Sequence, residues 1–102
     1  MFIVQLTYKT PISEVDKYLQ AHREYLDYHY KQGLILVSGP MKPRTGGILI
    51  ATTNDRAHLE RVLQQDPYYL AEIADYDIIE FIPVKHCDEL KALIQKTEGK
   101  LC

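Results

Sequence analysis

His22 and Asp66 are the two residues whose type and setting best suit acid–base chemistry. His22 lies on an apolar helical stripe, with Tyr18 one turn before it and Tyr25 one turn after it. A histidine that faces a sheet from such a stripe is partly desolvated, which favours a neutral imidazole able to accept a proton near pH 7. The alternative is a histidine at the edge of the core that bonds a backbone carbonyl, and the spacing leaves both open.

Asp66 is followed by Pro67, and aspartate at an N-cap with proline at the first helical position is an ordinary start of a helix. This explains Asp66 without a catalytic role. A capping carboxylate is held rigidly, however, and its free oxygen can orient a histidine. Asp66 is therefore a candidate partner of His22 as well as a cap.

Ser38, Gly39 and Pro40 form a turn that could contact a substrate. The glycine lets a ligand approach the backbone and Ser38 offers a hydroxyl, although a turn that merely ends a strand is the alternative. Ser38 lacks the G-x-S-x-G setting of a nucleophile. Arg44, in the next loop, could meet an anionic substrate or be a solvated charge, and that loop lacks the glycine spacing of phosphate-binding motifs.

The other histidines and the two cysteines indicate no metal or redox site. The histidines lack metal-ligand spacing; His29 is explained by the dipole at a helix C-terminus, and His58 and His86 by the surface. Cys87 and Cys102 match neither a zinc pattern nor a redox pair, and we expect reduced thiols in a cytoplasmic protein. We expect neither a metal nor an organic cofactor.

Four strands are predicted to position these side chains. Phe2–Tyr8 alternates with a period of two, and residues 34–37 and 48–52 predict the strands of a long-looped hairpin around a turn at residues 43–47. Residues 76–82 predict the fourth strand.

Helices are predicted between the strands. Ser13 and Asp16 resemble a capping box for one continuous helix that carries His22 and ends at Gly33. Asn54 or Asp55 begins the second helix. The order strand, helix, strand, strand, helix, strand predicts an α+β, ferredoxin-like fold with an antiparallel four-stranded sheet and two helices on one face.

The chain divides into a domain at residues 1–84 and a helical tail at residues 85–102. Asp88 is expected to cap the tail helix, which carries Leu90, Leu93 and Ile94. A length of 102 residues with 46% hydrophobic residues fits one folded domain. A formal charge of −2 with interspersed signs argues against nucleic acid and membrane partners, and no apolar run is long enough to span a membrane.

The second and third predicted strands are apolar on both faces. Ile35 and Val37 alternate with leucines, and residues 48–51 are apolar throughout. Two helices cover only one face of a sheet, and large exposed apolar patches are uncommon on monomers. We therefore expect a homodimer built sheet to sheet, or a larger homo-oligomer.

The ordered set of motifs resembles the YciI-like (YCII-related) family over roughly residues 1–83. The residues that carry the resemblance are Tyr8, Pro11, His22, Tyr25, Leu26, Gly33, Ser38, Gly39, Pro40, Pro43, Arg44, Thr45, Gly46, Gly47, Asp66, Pro67, Tyr68, Tyr69, Glu80 and Phe81. The resemblance implies a dimeric α+β barrel of ferredoxin-like subunits, similar in fold to muconolactone isomerase. One branch includes a dehydrochlorinase of a chlorinated hydroxyhydroquinone, and the family's proposed histidine–aspartate pair falls on His22 and Asp66. The chain has Leu19, Gln20 and Ala21 where many members carry an arginine, and Glu72 where many carry a glycine.

The resulting hypothesis is an enzyme in which His22 moves a proton on a small cyclic substrate and Asp66 fixes its tautomer. Such a protein would be an isomerase, a lyase or a hydrolase. The predicted substrate contacts are Ser38, Gly39, Pro40, Arg44, Tyr18, Tyr25 and Tyr68. The alternative is a non-catalytic module of the same fold that binds a small metabolite or mediates assembly. A monooxygenase or haem-degrading relative of the barrel is a third option, for which no cofactor motif is present.

Overall fold

The computed structural model describes residues 1–98, in which four antiparallel strands form one sheet. The elements in chain order are β1 (Phe2–Tyr8), α1 (Ile12–Asp16), α2 (Leu19–Lys31), β2 (Ile35–Pro40), β3 (Gly46–Ala51), α3 (Arg56–Leu63), α4 (Pro67–Leu70), β4 (Ala74–Glu80), a 3₁₀ turn (Asp88–Leu90) and α5 (Lys91–Glu98). The strand order is β2-β3-β1-β4. This confirms the predicted ferredoxin-like α+β fold and the additional C-terminal helix.

The sheet has a buried face and an open face because its central strand alternates. Phe2, Val4 and Leu6 of β1 point into the core and are at most 3% exposed. Val4 is opposite Leu49 of β3 and Ile78 of β4, so apolar side chains from three strands meet under the helices.

The helix predicted to carry His22 is in fact two helices, and the predicted capping box is wrong. Pro11 is the N-cap of α1 and no side chain bonds the helix start. Ser13 therefore lies inside α1, where its backbone is helical, whereas a capping serine needs an extended backbone. α1 and α2 are separated by Lys17 and Tyr18. Gly33 follows α2 with φ of 76°, as the predicted C-terminal signal requires.

Pairing across the sheet moves several predicted strand boundaries. The predicted turn at Ser38, Gly39 and Pro40 is wrong, because these residues are the last three of β2 and pair with β3. β4 runs from Ala74, opposite Tyr8, to Glu80, opposite Phe2, because its register with β1 sets these positions. Phe81 still donates its backbone N–H to the carbonyl oxygen of Met1. β3 begins at Gly46, inside the predicted turn. A Cβ at Gly46 would overlap the carbonyl oxygen of Leu6, so this close approach of β3 to β1 requires glycine.

The start of the second helix agrees with prediction and the start of the tail helix does not. Asp55 caps α3 and accepts a hydrogen bond from the backbone N–H of His58 at 3.1 Å. Asp88 is not a cap but the first residue of the 3₁₀ turn, and α5 begins at Lys91. Cys87 is exposed, whereas Cys102 lies outside the described residues. None of the helices within residues 1–98 is long and apolar enough to cross a membrane.

His29 is buried, which overturns its assignment to dipole stabilisation at a helix end. It is 7% exposed and packs edge to face against Tyr25 and Tyr28. Burial, and to a smaller extent His58, lowers the pKa of His29, with Asp66 acting in the opposite direction. The neutral ring is therefore favoured in the folded protein.

We expect the free energy of unfolding to fall as the pH decreases below about 6.5, in part through His29. The unfolded chain binds a proton on His29 near its ordinary pKa of 6.5, whereas the folded protein resists protonation until a lower pH. Urea unfolding at pH 7.5 and 5.5 measures the free energy of unfolding at each pH. Its decrease between the two pH values should be smaller for His29→Gln than for the wild type. His86→Gln, on the exposed tail, is the control. An unchanged loss in His29→Gln would contradict the expectation.

Gly46→Ala is expected to lower the free energy of unfolding by about 1–3 kcal/mol or more, because the new Cβ meets the backbone of β1. Gly39→Ala is the matched control on β2, where nothing lies within 4 Å of an added Cβ. It should change stability by about 0.5 kcal/mol or less. Denaturant unfolding compares the two, and equal losses would show that the approach of β3 to β1 is not the cause.

Candidate active site

Asp66 is a fully buried carboxylate at the start of a short helix. It is 0% exposed and is the N-cap of α4, with Pro67 at the first helical position, as the sequence predicts. Its Oδ1 accepts a hydrogen bond from the backbone N–H of Tyr68 at 2.9 Å. This backbone hydrogen bond by itself already fixes the orientation of the carboxylate.

α2 brings His22 to this carboxylate. His22 Nδ1 lies 2.8 Å from Asp66 Oδ1, and the His22 side chain is 13% exposed while that of Asp66 is fully buried. The two residues are 44 positions apart in sequence, so the fold creates the pair. Of the two interpretations open for His22, the structure shows a side-chain partner, not a backbone carbonyl.

Tyr76 supplies a third hydrogen bond to Asp66, and sequence reasoning missed it. The Tyr76 hydroxyl donates to Asp66 Oδ2 at 2.7 Å. Burial and then the charge of Asp66 raise the pKa of Tyr76 far above its usual value, so the hydroxyl keeps its proton. Tyr76 lies on β4 opposite Leu6, on the buried face, and this register depends on the fold and not on a local pattern.

The hydrogen bonds assign the tautomer of His22. An ionised carboxylate only accepts hydrogen bonds, so Nδ1 of a neutral His22 ring carries the proton and donates to Asp66. Nε2 then holds a free lone pair. Among residues 1–98, Nε2 has no hydrogen-bond partner, and the ring borders a cavity.

Aromatic rings fix the plane of the imidazole. Tyr68 stacks on His22 with ring centroids 3.9 Å apart and an angle of 6° between planes. Tyr25 lies on α2 one turn further, at 6.2 Å, and its hydroxyl donates to the carbonyl oxygen of Val62 at 2.8 Å. His22 is therefore held by packing as well as by its hydrogen bond.

The cavity beside His22 has a volume of about 600 Å³, within the range of sites for small molecules. It is lined by Leu6, Tyr8, Leu19, His22, Arg23, Leu26, Asp27, Tyr30, Ser38, Gly39, Pro40, Arg44, Gly47, Ile48, Leu49 and Tyr68. α2 forms one wall, and the inner residues of the sheet form another.

Five of the seven predicted substrate contacts line this cavity, namely Ser38, Gly39, Pro40, Arg44 and Tyr68. The other two predicted contacts do not. Tyr18 is the N-cap of α2 and 37% exposed, and the Tyr25 hydroxyl is bound to Val62. The binding and catalytic roles of all these residues stay predictions.

Several lining residues were not predicted. Leu19, Arg23, Asp27 and Tyr30 repeat at helical spacing on α2, which is the signal that could have found them. Tyr8 is the last residue of β1 and lies on the same face as Leu6, so the period of two in β1 is the signal that could have found it.

Polar groups lie at two sides of the cavity. Tyr30 and Ser38 share a hydrogen bond between hydroxyls at 2.6 Å. Arg44 donates to Asp16 at 2.7 Å, and its guanidinium lies 5.8 Å from the ring centre of Tyr8. The hydrogen bond with Asp16 raises the pKa of Arg44 further, so the guanidinium is a permanent cation.

The Tyr68 hydroxyl is buried without a hydrogen-bond partner in the part of the chain described, residues 1–98. Burial is the main cause that raises the pKa of Tyr68 to about 12, and Arg44 acts in the opposite direction. The hydroxyl is thus an unused donor near a cation.

Within residues 1–98, no group of three or more histidine, cysteine, aspartate or glutamate side chains is placed to hold a metal ion. The structure gives no basis for assigning a metal centre to the cavity.

A comparison with solved structures identifies a neighbour of the same fold. It is the 5-chloro-2-hydroxyhydroquinone dehydrochlorinase TftG from Burkholderia phenoliruptrix AC1100, in complex with 2,5-dihydroxybenzoquinone. The match has a TM-score of 0.66 and 20% identity, and it covers 87% of this chain and 98% of that one. At this identity the likeness shows the fold alone.

The family relationship rests on sequence. No curated protein sequence matches the chain. The family model described as the YCII-related domain matches residues 1–82, which include His22, Ser38 and Asp66. This match covers well over half of the chain, and the protein belongs to the YCII-related domain family.

Proposed function

We propose that this protein is an enzyme that transfers protons on a small oxygenated ring compound, with His22 as general base and acid. The observation that carries the proposal is the 2.8 Å hydrogen bond between His22 Nδ1 and buried Asp66, which leaves Nε2 beside a cavity. A histidine paired to a carboxylate on one side and to a substrate space on the other is a recurrent catalytic arrangement.

Each contact of Asp66 has a consequence for the proposed reaction. Asp66 keeps the proton of neutral His22 on Nδ1, so Nε2 is the atom that takes a proton from substrate. The carboxylate then stabilises the imidazolium that forms. Tyr76 and the Tyr68 N–H hold the carboxylate in place, which makes Tyr76 a positioning residue rather than a catalytic one.

The substrate class is proposed from the cavity and from the neighbour. The lining is mainly apolar and aromatic with a few polar groups, which suits a ring that carries oxygen substituents. TftG, of the same fold, acts on a hydroxyhydroquinone and is seen with a dihydroxybenzoquinone. Isomerisation, ring opening and elimination all begin with the proton transfer assigned to His22.

His22→Asn is expected to reduce kcat by about 10²–10⁴-fold on a substrate found in a panel of hydroxyhydroquinones, their chlorinated forms and small lactones. Turnover is followed by ultraviolet absorbance and chloride release. Asp66→Asn should also lower kcat, because an amide no longer fixes the tautomer, and Tyr76→Phe should lower it less. His58→Asn, on the exposed face of α3, is the matched control.

Circular dichroism of each variant separates a loss of chemistry from a loss of folding. Full turnover in folded His22→Asn would refute the catalytic role. Tight binding of panel compounds without turnover by the wild type would instead favour the non-catalytic metabolite-binding module.

We also propose that a second copy of the chain covers the open face of the sheet. Val37 and Ile79 on this face are 51% and 55% exposed, and Ile3, Ile48 and Ile50 lie between them across the paired strands. These side chains form a continuous apolar surface of the kind that monomers rarely leave in water. An identical surface on a second copy fits it in a two-fold dimer.

Ile79→Lys is expected to shift the protein from twice the mass of one chain to the mass of one chain, measured by light scattering at micromolar concentration. A buried ammonium in the interface is costly. Leu70→Lys is the control, because Leu70 is 69% exposed on α4, in the helical layer. A monomeric wild type would exclude the dimer.

A further inference from the structure

The Tyr68 hydroxyl differs from the hydroxyls of the two half-buried tyrosines around His22, Tyr25 and Tyr76. Tyr25 and Tyr76 each donate to an oxygen within hydrogen-bond distance. Tyr68 is 2% exposed, and its hydroxyl is without a partner in residues 1–98. A buried donor left unpaired is unfavourable, so its retention beside a cavity calls for a ligand.

Arg44 adds a positive charge at the same corner of the cavity. It lines the cavity together with Tyr68 and Tyr8, and its guanidinium lies 5.8 Å from the centre of the Tyr8 ring, which is 6.2 Å from the centre of the Tyr68 ring. One of its N–H groups is bonded to Asp16, and the side chain is 31% exposed. A guanidinium has five N–H donors, so several remain for a ligand.

We propose that Arg44 and the Tyr68 hydroxyl form an oxyanion subsite, which binds a carboxylate, phenolate or enolate oxygen of a ring compound next to His22. This deepens the proposed function and rests on it for the reaction, although anion binding is measurable alone. A carboxylate or phenolate oxygen would accept hydrogen bonds from the Arg44 guanidinium and from the Tyr68 hydroxyl, and such charge-assisted bonds are strong in a partly desolvated site. The Tyr68 hydroxyl is buried, so the proposal requires the side chains around it to move when the anion binds.

The proposed subsite stabilises the negative charge that develops on the substrate oxygen when His22 removes a proton. His22 Nε2 removes a proton from a carbon next to a carbonyl, the C–H electron pair forms a carbon–carbon double bond, and the carbonyl π pair moves to oxygen. Arg44 and Tyr68 stabilise the enolate oxygen. Where a second carbon–carbon double bond is conjugated with the enolate, its far carbon takes the proton back from His22, the double bond shifts and the carbonyl re-forms. Where the next carbon carries an anionic leaving group, the enolate expels it and forms a new double bond, and the imidazolium returns its proton to water.

Other charged groups near the cavity also act on a bound anion. Asp66 also acts on Tyr68, but three hydrogen bonds already occupy its oxygens. Asp27 and Arg23 also line the cavity, from α2, and bring opposite charges. Arg23 is thus the other cation able to attract an anion, and the experiment must separate it from Arg44.

The test measures binding of benzoate and of benzamide, its uncharged analogue, to the full chain by ¹H–¹⁵N NMR titration. We expect the wild type to bind benzoate more tightly than benzamide. Tyr68→Phe and Arg44→Gln should each weaken benzoate about tenfold and leave benzamide unchanged. Tyr68→Phe removes only an unpaired hydroxyl, so the variant should fold with unchanged or higher Tm.

Two variants provide the comparison. Asp16→Asn releases Arg44 without removing it and should bind benzoate at least as tightly as the wild type. Arg23→Gln should keep the preference for benzoate. The inference is overturned if the wild type does not prefer benzoate, if Tyr68→Phe keeps full affinity, or if the preference depends on Arg23. Failure of the proposed function is a separate result, namely turnover that is unaffected by His22→Asn.

Discussion

The buried carboxylate of Asp66 is the constraint on which the site depends. A carboxylate with no exposed surface is stable only when hydrogen-bond donors replace the water it has lost. Here the donors come from three elements: a backbone N–H of α4, His22 on α2 and Tyr76 on β4. Removal of any donor leaves part of a buried charge unpaired, so the position of α2 over the sheet and the orientation of the imidazole are set by the same interaction.

The hydrogen bonds of Asp66 also explain why the cavity lies where it does. α2 is anchored at His22, while Leu26, one turn further, packs against the core between helix and sheet. β2 ends with Ser38, Gly39 and Pro40, and the space left between this end of β2 and α2 is the cavity. The Tyr30–Ser38 hydrogen bond links the two walls. The position of His22 and the cavity beside it are therefore consequences of one helix placement.

The features that the sequence predicts correctly are those governed by neighbouring residues. The alternation of β1, the cap by Asp55 and the cap by Asp66 before Pro67 follow from residues within one or two turns. The features that it misses depend on contacts between elements and on where neighbouring elements begin. The capping box fails because Pro11 begins α1 earlier, and β4 lies two residues before its predicted position because its register is set by its pairing with β1.

The candidate site shows the same division between local and long-range information. His22 was selected by its position on a helical stripe and Asp66 by its place before a proline, whereas the hydrogen bond between them spans 44 residues. Tyr76 and the Arg44–Asp16 pair could not be found locally, since each depends on the register or on the placement of a separate loop. Tyr18 shows the opposite error, since its position on the stripe predicts a substrate contact. The break between α1 and α2 makes Tyr18 the N-cap of α2 instead.

Glu72 has a left-handed backbone in the turn that follows Asp66 and α4, a conformation that is unfavourable for a residue with a side chain. It lies two residues after α4 with φ of 56°, a conformation that costs a residue with a side chain about 1–2 kcal/mol. Many members of the family carry glycine there, and this chain keeps the left-handed turn without it. The turn directs the chain from α4 into Ala74, the first residue of β4, and so determines where Tyr76 meets Asp66. The strain at Glu72 is tolerated because the hydrogen bonds of Asp66 and the pairing of β4 with β1 both require that path.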